Sequence, residues 1–258
     1  MSDVGGINRM KARLAAGETV TAFMVTMPSV AMAQVLAGSG VNCLILDMEH
    51  GPIDLATLHA MVAATRGSGA TPIVRVPWTE PWLVKPVLDT GAMGINFPMI
   101  STATVARASA AAVRYPPEGA RGVAPSYAPV RWGLPMPEYL RQANREMVNV
   151  ITIEDPEAVR NLDEILAVPG IDVVAIASFD LSMSLGVPGQ LEHPALTALV
   201  REAEAKVLRS GIPLAGVALS PEAAQAKRAA GYRMLLVGFD VQMVDGAARG
   251  AVAAAVSG

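Results

Sequence analysis

The chain has 258 residues, of which 52% are hydrophobic and 17% charged, and its formal net charge is -3. Scattered Lys and Arg residues without a basic patch argue against a nucleic-acid-binding protein. No run reaches the roughly 18 apolar residues of a membrane span, and the polar N-terminus has no signal-peptide core. Cys43 is the only cysteine and excludes an intramolecular disulfide, so we expect a cytoplasmic protein without membrane or nucleic-acid partners.

Short apolar runs rich in β-branched residues alternate with Ala-rich helical stretches along the whole chain. The predicted strands are 21–26, 43–49, 72–78, 94–100, 149–154, 173–177, 213–219 and 234–238. The predicted helices are 29–37, 55–66, 82–90, 104–113, 138–146, 156–167, 194–210, 221–230 and 241–256, with a long loop over 115–134.

The apolar runs show no polar alternation, which is typical of parallel strands covered on both faces. Eight strands, each followed by a helix, predict a parallel α/β fold and favour a closed (β/α)₈ TIM barrel. Such a barrel needs about 250 residues. We therefore expect one domain over residues 1–258.

Polar residues collect where predicted strands end, which is the end of a barrel that carries its chemistry. An ionisable side chain at the end of an apolar run is costly unless it is paired or used. Such residues follow four different strands and are Asp47, Glu49, His50, Arg75, Glu154 and Asp180. Their recurrence predicts one shared site.

Glu154 and Asp180 come from neighbouring predicted strands. Hard divalent cations prefer oxygen ligands, often one or two carboxylates completed by water and substrate. The alternative is that one carboxylate caps the following helix, but Asp155 before Pro156 already has that pattern. The pattern alone leaves both interpretations of Glu154 and Asp180 open.

His50 and Arg75 admit two interpretations each. His50 is either an acid–base group held by Asp47 or Glu49, or a loop residue without a role. Arg75 inside an apolar strand needs an anion, which is either one of those two carboxylates or the carboxylate or keto oxygen of a substrate. The two interpretations of Arg75 are compatible with each other.

With these residues in view, the chain resembles the HpcH/HpaI family of class II, metal-dependent pyruvate aldolases, of the type that acts on 4-hydroxy-2-oxoheptanedioate or 2-keto-3-deoxy sugar acids. The resemblance covers nearly the whole chain. Its motifs are 46–54 (LDMEHGPID), 75–77 (RVP), 88–92 (LDTGA), 114–122 (RYPPEGARG), 153–154 (IE) and 180–182 (DLS). Their order and spacing are specific, although each motif alone is weak.

The resemblance implies the chemistry of the site. Glu154 and Asp180 would hold Mg²⁺, Mn²⁺ or Co²⁺, on which a 2-keto acid would bind before reacting with an aldehyde. Arg75 would stabilise the developing enolate oxygen. His50, oriented by Asp47, would transfer protons. No Schiff-base lysine is needed.

The resemblance also implies how substrate and neighbouring subunits are contacted. Ser178, Phe179 and Asp180 would bind the donor carboxylate through the backbone N–H groups near them. The family forms a homo-hexamer with an exchanged C-terminal helix, and Asp89 would reach the site of a neighbouring subunit. Trp78 would add aromatic lining.

Three positions depart from the family pattern. Phe179 follows Ala177 and Ser178 where the family has Gly-Pro-Ala/Ser, Thr152 replaces a common Gln, and Met24 replaces a Trp. We therefore expect a remodelled pocket that accepts hydroxypyruvate as well as pyruvate.

Other functions remain as alternatives. A CoA-ester lyase of the citrate-lyase β type would share both carboxylates but needs a nucleotide-binding surface that the sequence does not show. A cyclising enzyme resembling macrophomate synthase would use the same enolate. A non-catalytic barrel that only binds a partner is disfavoured, because Glu154, Asp180, Arg75 and His50 are present together.

Overall fold

Eight parallel strands close into a barrel in this computed structural model, which describes residues 7–256. Each strand pairs with the next, and the last pairs with the first. The strands are β1 (Val20–Val25), β2 (Cys43–Asp47), β3 (Thr71–Arg75), β4 (Gly94–Phe97), β5 (Val148–Ile153), β6 (Val173–Ile176), β7 (Leu214–Val217) and β8 (Met234–Phe239). The predicted (β/α)₈ barrel is confirmed.

Thirteen helices accompany the strands in the described part of the chain. They are α1 (Arg9–Ala15), α2 (Val30–Ala37), α3 (Leu55–Ala64), α4 (Pro81–Asp89), α5 (Ala103–Ala112), α6 (Ala128–Trp132), α7 (Met136–Glu146), α8 (Pro156–Arg160), α9 (Leu162–Leu166), α10 (Ser178–Ser184), α11 (Pro194–Ser210), α12 (Pro221–Ala229) and α13 (Asp240–Val256). No helix within 7–256 combines the length and apolarity needed to cross a bilayer.

The strands bury side chains on both of their faces. On β2, Cys43 and Ile45 belong to the cluster that fills the barrel, while Leu44 and Leu46 belong to the layer between strands and helices. All five residues of β2 are buried. This double burial is the reason that the strands are apolar without alternation.

Three helices were not predicted, and one predicted helix is divided. Helix α1 places Met10 in the interior cluster at the amino-terminal end of the barrel. Helix α6 lies within the predicted loop, and α10 follows β6. The predicted helix 156–167 is divided at Asn161, which ends α8 and precedes α9. Helices of five to seven residues carry too little periodicity to be recognised in a sequence.

Helix α13 extends away from the barrel. Asp240 is its only buried residue among those described. The Asp240 carboxylate accepts hydrogen bonds from the backbone N–H groups of Thr26 and Met27 at 2.8–3.0 Å, so the start of the helix is tied to the end of β1. An open groove of about 910 Å³ lies outside β8, lined by Leu235 and Val237 and by residues of α12.

Candidate active site

Asp47 and Arg75 form the centre of the site at the carboxyl ends of β2 and β3. The parallel register places them directly opposite each other. Arg75 Nε donates to Asp47 Oδ1 at 2.8 Å, and Nη2 donates to Oδ2 at 2.7 Å. Asp47 is fully buried, so this two-bond pair fixes the plane of the guanidinium group. Burial of Arg75 opposes its charge, but the hydrogen bonds and charge of Asp47 outweigh it and raise the pKa of Arg75.

Glu49 is a second carboxylate on Arg75, with Oε2 lying 3.2 Å from Nε. Burial raises the pKa of Glu49, against the opposing charge of Arg75. The chain then turns sharply at Gly51, where a Cβ would lie 2.4 Å from the Asp47 carbonyl oxygen. Glycine is therefore required by close packing, which explains its place in the motif.

The expected pairing of the His50 imidazole with Asp47 is not found. Both Asp47 oxygens are taken by Arg75, and Oδ1 also accepts from the backbone N–H groups of Glu49 and His50 at 3.0 and 3.4 Å. The imidazole is exposed, and its Nε2 lies 3.8 Å from Glu49 Oε2. Glu49, the alternative partner considered from the sequence, is the carboxylate nearest to the ring.

Glu154 directly follows β5 and faces the same centre. Burial, together with the charges of Glu49 and Asp180, raises its pKa to about 7. Its Oε1 accepts a 2.5 Å hydrogen bond from the backbone N–H of Met99. Met99 has a φ of 53°, a left-handed conformation that is strained in a residue with a side chain. Nothing in the sequence indicated this support.

Asp180 is not at the end of a strand, which corrects the prediction. Strand β6 ends at Ile176, and Asp180 lies exposed in the first turn of α10. Its charge nevertheless acts on both Glu49 and Glu154, so it faces the same site. Phe179 beside it is 63% exposed, so its side chain does not cover the site.

Glu49, Glu154 and Asp180 provide carboxylate oxygens, the kind of ligand that a hard divalent cation prefers. Close like charges repel, and a cation between them would remove that repulsion. The described residues contain no group of three or more His, Cys, Asp or Glu placed to hold a metal ion together. An ion at Glu154 and Asp180 would therefore complete its ligands with water or substrate oxygens, as Mg²⁺ commonly does.

A cavity of about 110 Å³ lies below these groups inside the barrel. Its polar side is formed by Arg75, Asn96 and Thr152, and the Asn96 side-chain amide donates to Thr152 Oγ1 at 2.9 Å. The rest is apolar and includes Met24 and Gly216. Two of the three positions that depart from the family pattern, Met24 and Thr152, therefore line the floor of the site.

Asp89 and Trp78 lie outside this centre. Asp89 ends α4, which returns from the carboxyl end of β3 to the amino-terminal end of the barrel, and it pairs with Arg121 at 2.7 Å. It therefore does not reach the site of its own chain. Trp78 is half exposed on the loop between β3 and α4, on the side of the candidate site.

Fold and site together define a TIM-barrel enzyme whose centre is a buried Asp–Arg pair facing further carboxylates. The family model described as HpcH/HpaI aldolase/citrate lyase matches residues 22–247. The chain belongs to this family, as its motifs predicted.

Known relatives agree with this assignment. A hydroxypyruvate/pyruvate aldolase of Roseovarius nubinhibens is 35% identical over 94% of each chain. A 2-keto-3-deoxy-L-rhamnonate aldolase of Shigella sonnei is 35% identical over 93% of this chain and 90% of the relative. The solved structure of an HpcH/HpaI aldolase/citrate lyase family protein from Burkholderia cenocepacia J2315 superposes with a TM-score of 0.90 at 32% identity, covering 97% of this chain and 100% of that one. These names confirm the predicted reaction class, carbon–carbon bond lysis.

Proposed function

We propose that this protein is a divalent-metal-dependent class II aldolase. It reversibly joins the enolate of a 2-keto acid, pyruvate or hydroxypyruvate, to an aldehyde. The observation that carries the proposal is the buried Asp47–Arg75 pair, in which Asp47 fixes an Arg75 guanidinium whose charge acts on Glu154. Family membership supports it independently.

Glu154 and Asp180 are the residues that would hold Mg²⁺, Mn²⁺ or Co²⁺. When bound, the ion supplies Lewis-acid stabilisation of the negative charge that develops on the keto oxygen of the donor. The proposal is supported by the charge of Asp180, which acts on Glu154 and contributes to its raised pKa. Repulsion between them provides the drive to bind a cation.

Arg75 stabilises the same developing charge. Its guanidinium is held by two hydrogen bonds before substrate arrives, so little reorganisation is needed during the reaction. In the cleavage direction the aldol hydroxyl loses its proton, the carbon–carbon bond breaks, and the bonding pair moves into the enolate. The aldehyde leaves, and a proton returns to the enolate carbon. His50, exposed beside Glu49, is the residue placed to exchange these protons with solvent.

The donor carboxylate is bound near the start of α10 in this proposal. The N–H groups of Phe179 and Asp180 belong to its first turn, where the helix offers them no acceptor. Ser178 is the preceding residue of the same turn. The cavity below, with Thr152 and Asn96 on its polar side, provides room and hydrogen-bonding groups for the C3 hydroxyl of hydroxypyruvate.

A panel of donors and aldehydes, assayed with and without added Mg²⁺ or Mn²⁺, tests the proposal. We expect turnover of both pyruvate and hydroxypyruvate, loss of turnover after EDTA treatment, and recovery when metal is returned. Turnover that survives thorough chelation would rule out the metal mechanism. Strict use of pyruvate would refute the proposed donor range while leaving the aldolase class intact.

Metal binding is expected to depend on pH through Glu154. Its pKa of about 7 lies above its ordinary value, so its contribution to stability is complete below the unfolded-state pKa and is lost as pH rises through 7. Metal competes with the proton that Glu154 holds at lower pH. We therefore expect Mn²⁺ to raise the melting temperature more at pH 8 than at pH 6, measured by calorimetry. Glu154→Gln should lose this difference, and equal shifts at both pH values would contradict the assignment.

We also propose that the protein forms a homo-oligomer, specifically a hexamer with exchanged C-terminal helices. We propose the cytoplasm as its compartment. Almost all described residues of helix α13 are exposed, so this helix does not cover its own barrel. The groove outside β8 therefore stays open. In a (β/α)₈ barrel the final helix normally covers that surface. The α13 of a neighbouring subunit has the length and apolar side chains to do so. Asp89 would then act only in a neighbouring subunit's site.

Charge on the apolar side of α13 is expected to dissociate the oligomer. Val244 and Ala251 are exposed on the same face of this helix, two turns apart. The variant Val244→Asp/Ala251→Asp should shift the mass measured by light scattering towards the monomer, because burying two unpaired carboxylates is unfavourable. Gln242→Glu, on the side that carries Asp245 and Arg249, is the matched control and should leave the mass unchanged. An unchanged mass in the double variant would exclude α13 from the interface.

A further inference from the structure

A second cavity, of about 210 Å³, opens at the end of the barrel opposite the candidate active site. Its lining includes the starts of α1 and β3 and the residues just before β4. Three arginines, Arg9, Arg66 and Arg131, line it, and no acidic side chain does. We call it the arginine cavity.

The positive charge of the arginine cavity is not neutralised by any of the residues 7–256 that the structure describes. In the part of the chain that the structure describes, none of its three guanidinium groups lies in an ion pair. Arg131 Nη2 lies 2.8 Å from His59 Nε2, while its buried Nε has no hydrogen-bond partner among the described residues. Burial and the charge of Arg131 lower the pKa of His59, which favours a neutral ring that accepts this hydrogen bond.

Two glycines let the arginines approach. Gly69 has a φ of +87°, and a Cβ there would lie 3.2 Å from Arg9 Nη1. Gly91 has a φ of +99°, and a Cβ there would lie 2.8 Å from the Cβ of Arg131. Both positions combine a left-handed backbone with close packing, so a larger residue is strained at either one. The local backbone thus leaves room for the Arg9 guanidinium group and for the aliphatic part of the Arg131 side chain.

Like charges held together disfavour each other unless an anion lies between them. Burial and the charge of Arg66 lower the pKa of Arg131. Guanidinium groups donate paired hydrogen bonds that match the oxygens of phosphate and carboxylate groups. A cavity of about 210 Å³ suits a small metabolite rather than a nucleotide.

We propose that the arginine cavity binds a compact anion with at least two negative charges, either a phosphate monoester or a dicarboxylate. This ligand is distinct from the substrate bound at Arg75, because the cavity lies at the opposite end of the same barrel. Asp89, which would act in a neighbouring subunit's site, is not among its lining residues. The bound anion would contact α1, the loop between α3 and β3, and α6, since all three contribute lining residues. It therefore stabilises the fold by linkage.

Titration calorimetry on the metal-free, full-length protein tests this inference. Inorganic phosphate and succinate are the two probes, with chloride balancing the ionic strength. We expect saturable binding of at least one probe, weakened about tenfold in Arg66→Ala through loss of a charged hydrogen bond. The preferred probe identifies the ligand as phosphate-like or dicarboxylate-like. Arg66 is exposed, so this variant should fold, which circular dichroism verifies.

Two control variants locate the binding. Arg107→Ala removes an equally exposed arginine from α5 and should bind as the wild type does. Arg75→Ala should also bind normally; loss of binding in Arg75→Ala alone would place the anion in the active site and overturn the proposal. Titration heats for phosphate and succinate that equal the heat measured with chloride would overturn the proposal too. So would an Arg66→Ala variant with unchanged affinity and altered oligomer mass, since the cavity would then belong to a subunit interface.

Discussion

Replacing Glu154 by glutamine is expected to lower kcat/KM for aldol cleavage by at least about a thousandfold. Lewis-acid stabilisation is worth several kcal/mol, and each 1.36 kcal/mol corresponds to a factor of about ten. The amide keeps the shape of the side chain and can still accept the hydrogen bond from Met99. It removes the charge that a cation requires. Steady-state kinetics at saturating Mn²⁺, with metal content measured after desalting, would check the result.

The same variant separates loss of metal from loss of folding. Burial and neighbouring carboxylates disfavour the charged form of Glu154, so Glu154→Gln should melt at the same or a higher temperature than the metal-free wild type at pH 8. Glu157→Gln removes one exposed carboxylate from the first turn of α8 and should keep full activity. Retained metal and activity in Glu154→Gln would show that Glu154 is not a ligand.

Arg75→Lys is expected to lower kcat by about a hundredfold to a thousandfold, the usual effect of losing a preorganised donor to a developing oxyanion. Lysine keeps the charge but cannot form the paired hydrogen bonds that Asp47 accepts at 2.8 and 2.7 Å. The charge that faces the substrate then loses its fixed position. Comparing kcat with KM for pyruvate distinguishes a transition-state effect from weaker binding.

Arg114→Lys is the matched control for this substitution. Arg114 is nearly buried, lies 3.6 Å from Asp172, and follows α5 at the opposite end of the barrel. Both substitutions should lower the melting temperature, but only Arg75→Lys should lower kcat. Full activity in Arg75→Lys would mean that charge alone is sufficient at this position and that the fork geometry has no role.

Much of the barrel could be predicted because its strands are short and buried on both faces. The predicted strand 43–49 extends two residues beyond β2, which ends at Asp47. The backbone N–H of Met48 still donates to the Arg75 carbonyl oxygen, but the register between β2 and β3 ends one residue earlier. Helix α10 was missed because it spans only seven residues and directly follows a strand. That omission placed Asp180 at a strand end, although the proposal that Asp180 and Glu154 hold a metal ion does not depend on the difference.

The candidate site residues Asp47, Arg75 and Glu154 could be predicted from the sequence, since ionisable side chains that end apolar runs have few structural uses. Their partners were decided only by the tertiary structure. The register of β2 against β3 pairs Asp47 with Arg75. Glu49 is then the carboxylate beside His50. The strained Met99 that supports Glu154, and the glycines that admit Arg9 and Arg131, likewise depend on contacts between residues far apart in the chain. A sequence lists such residues in order, whereas hydrogen bonds and charges act over a few ångströms of space, which only the closed barrel defines.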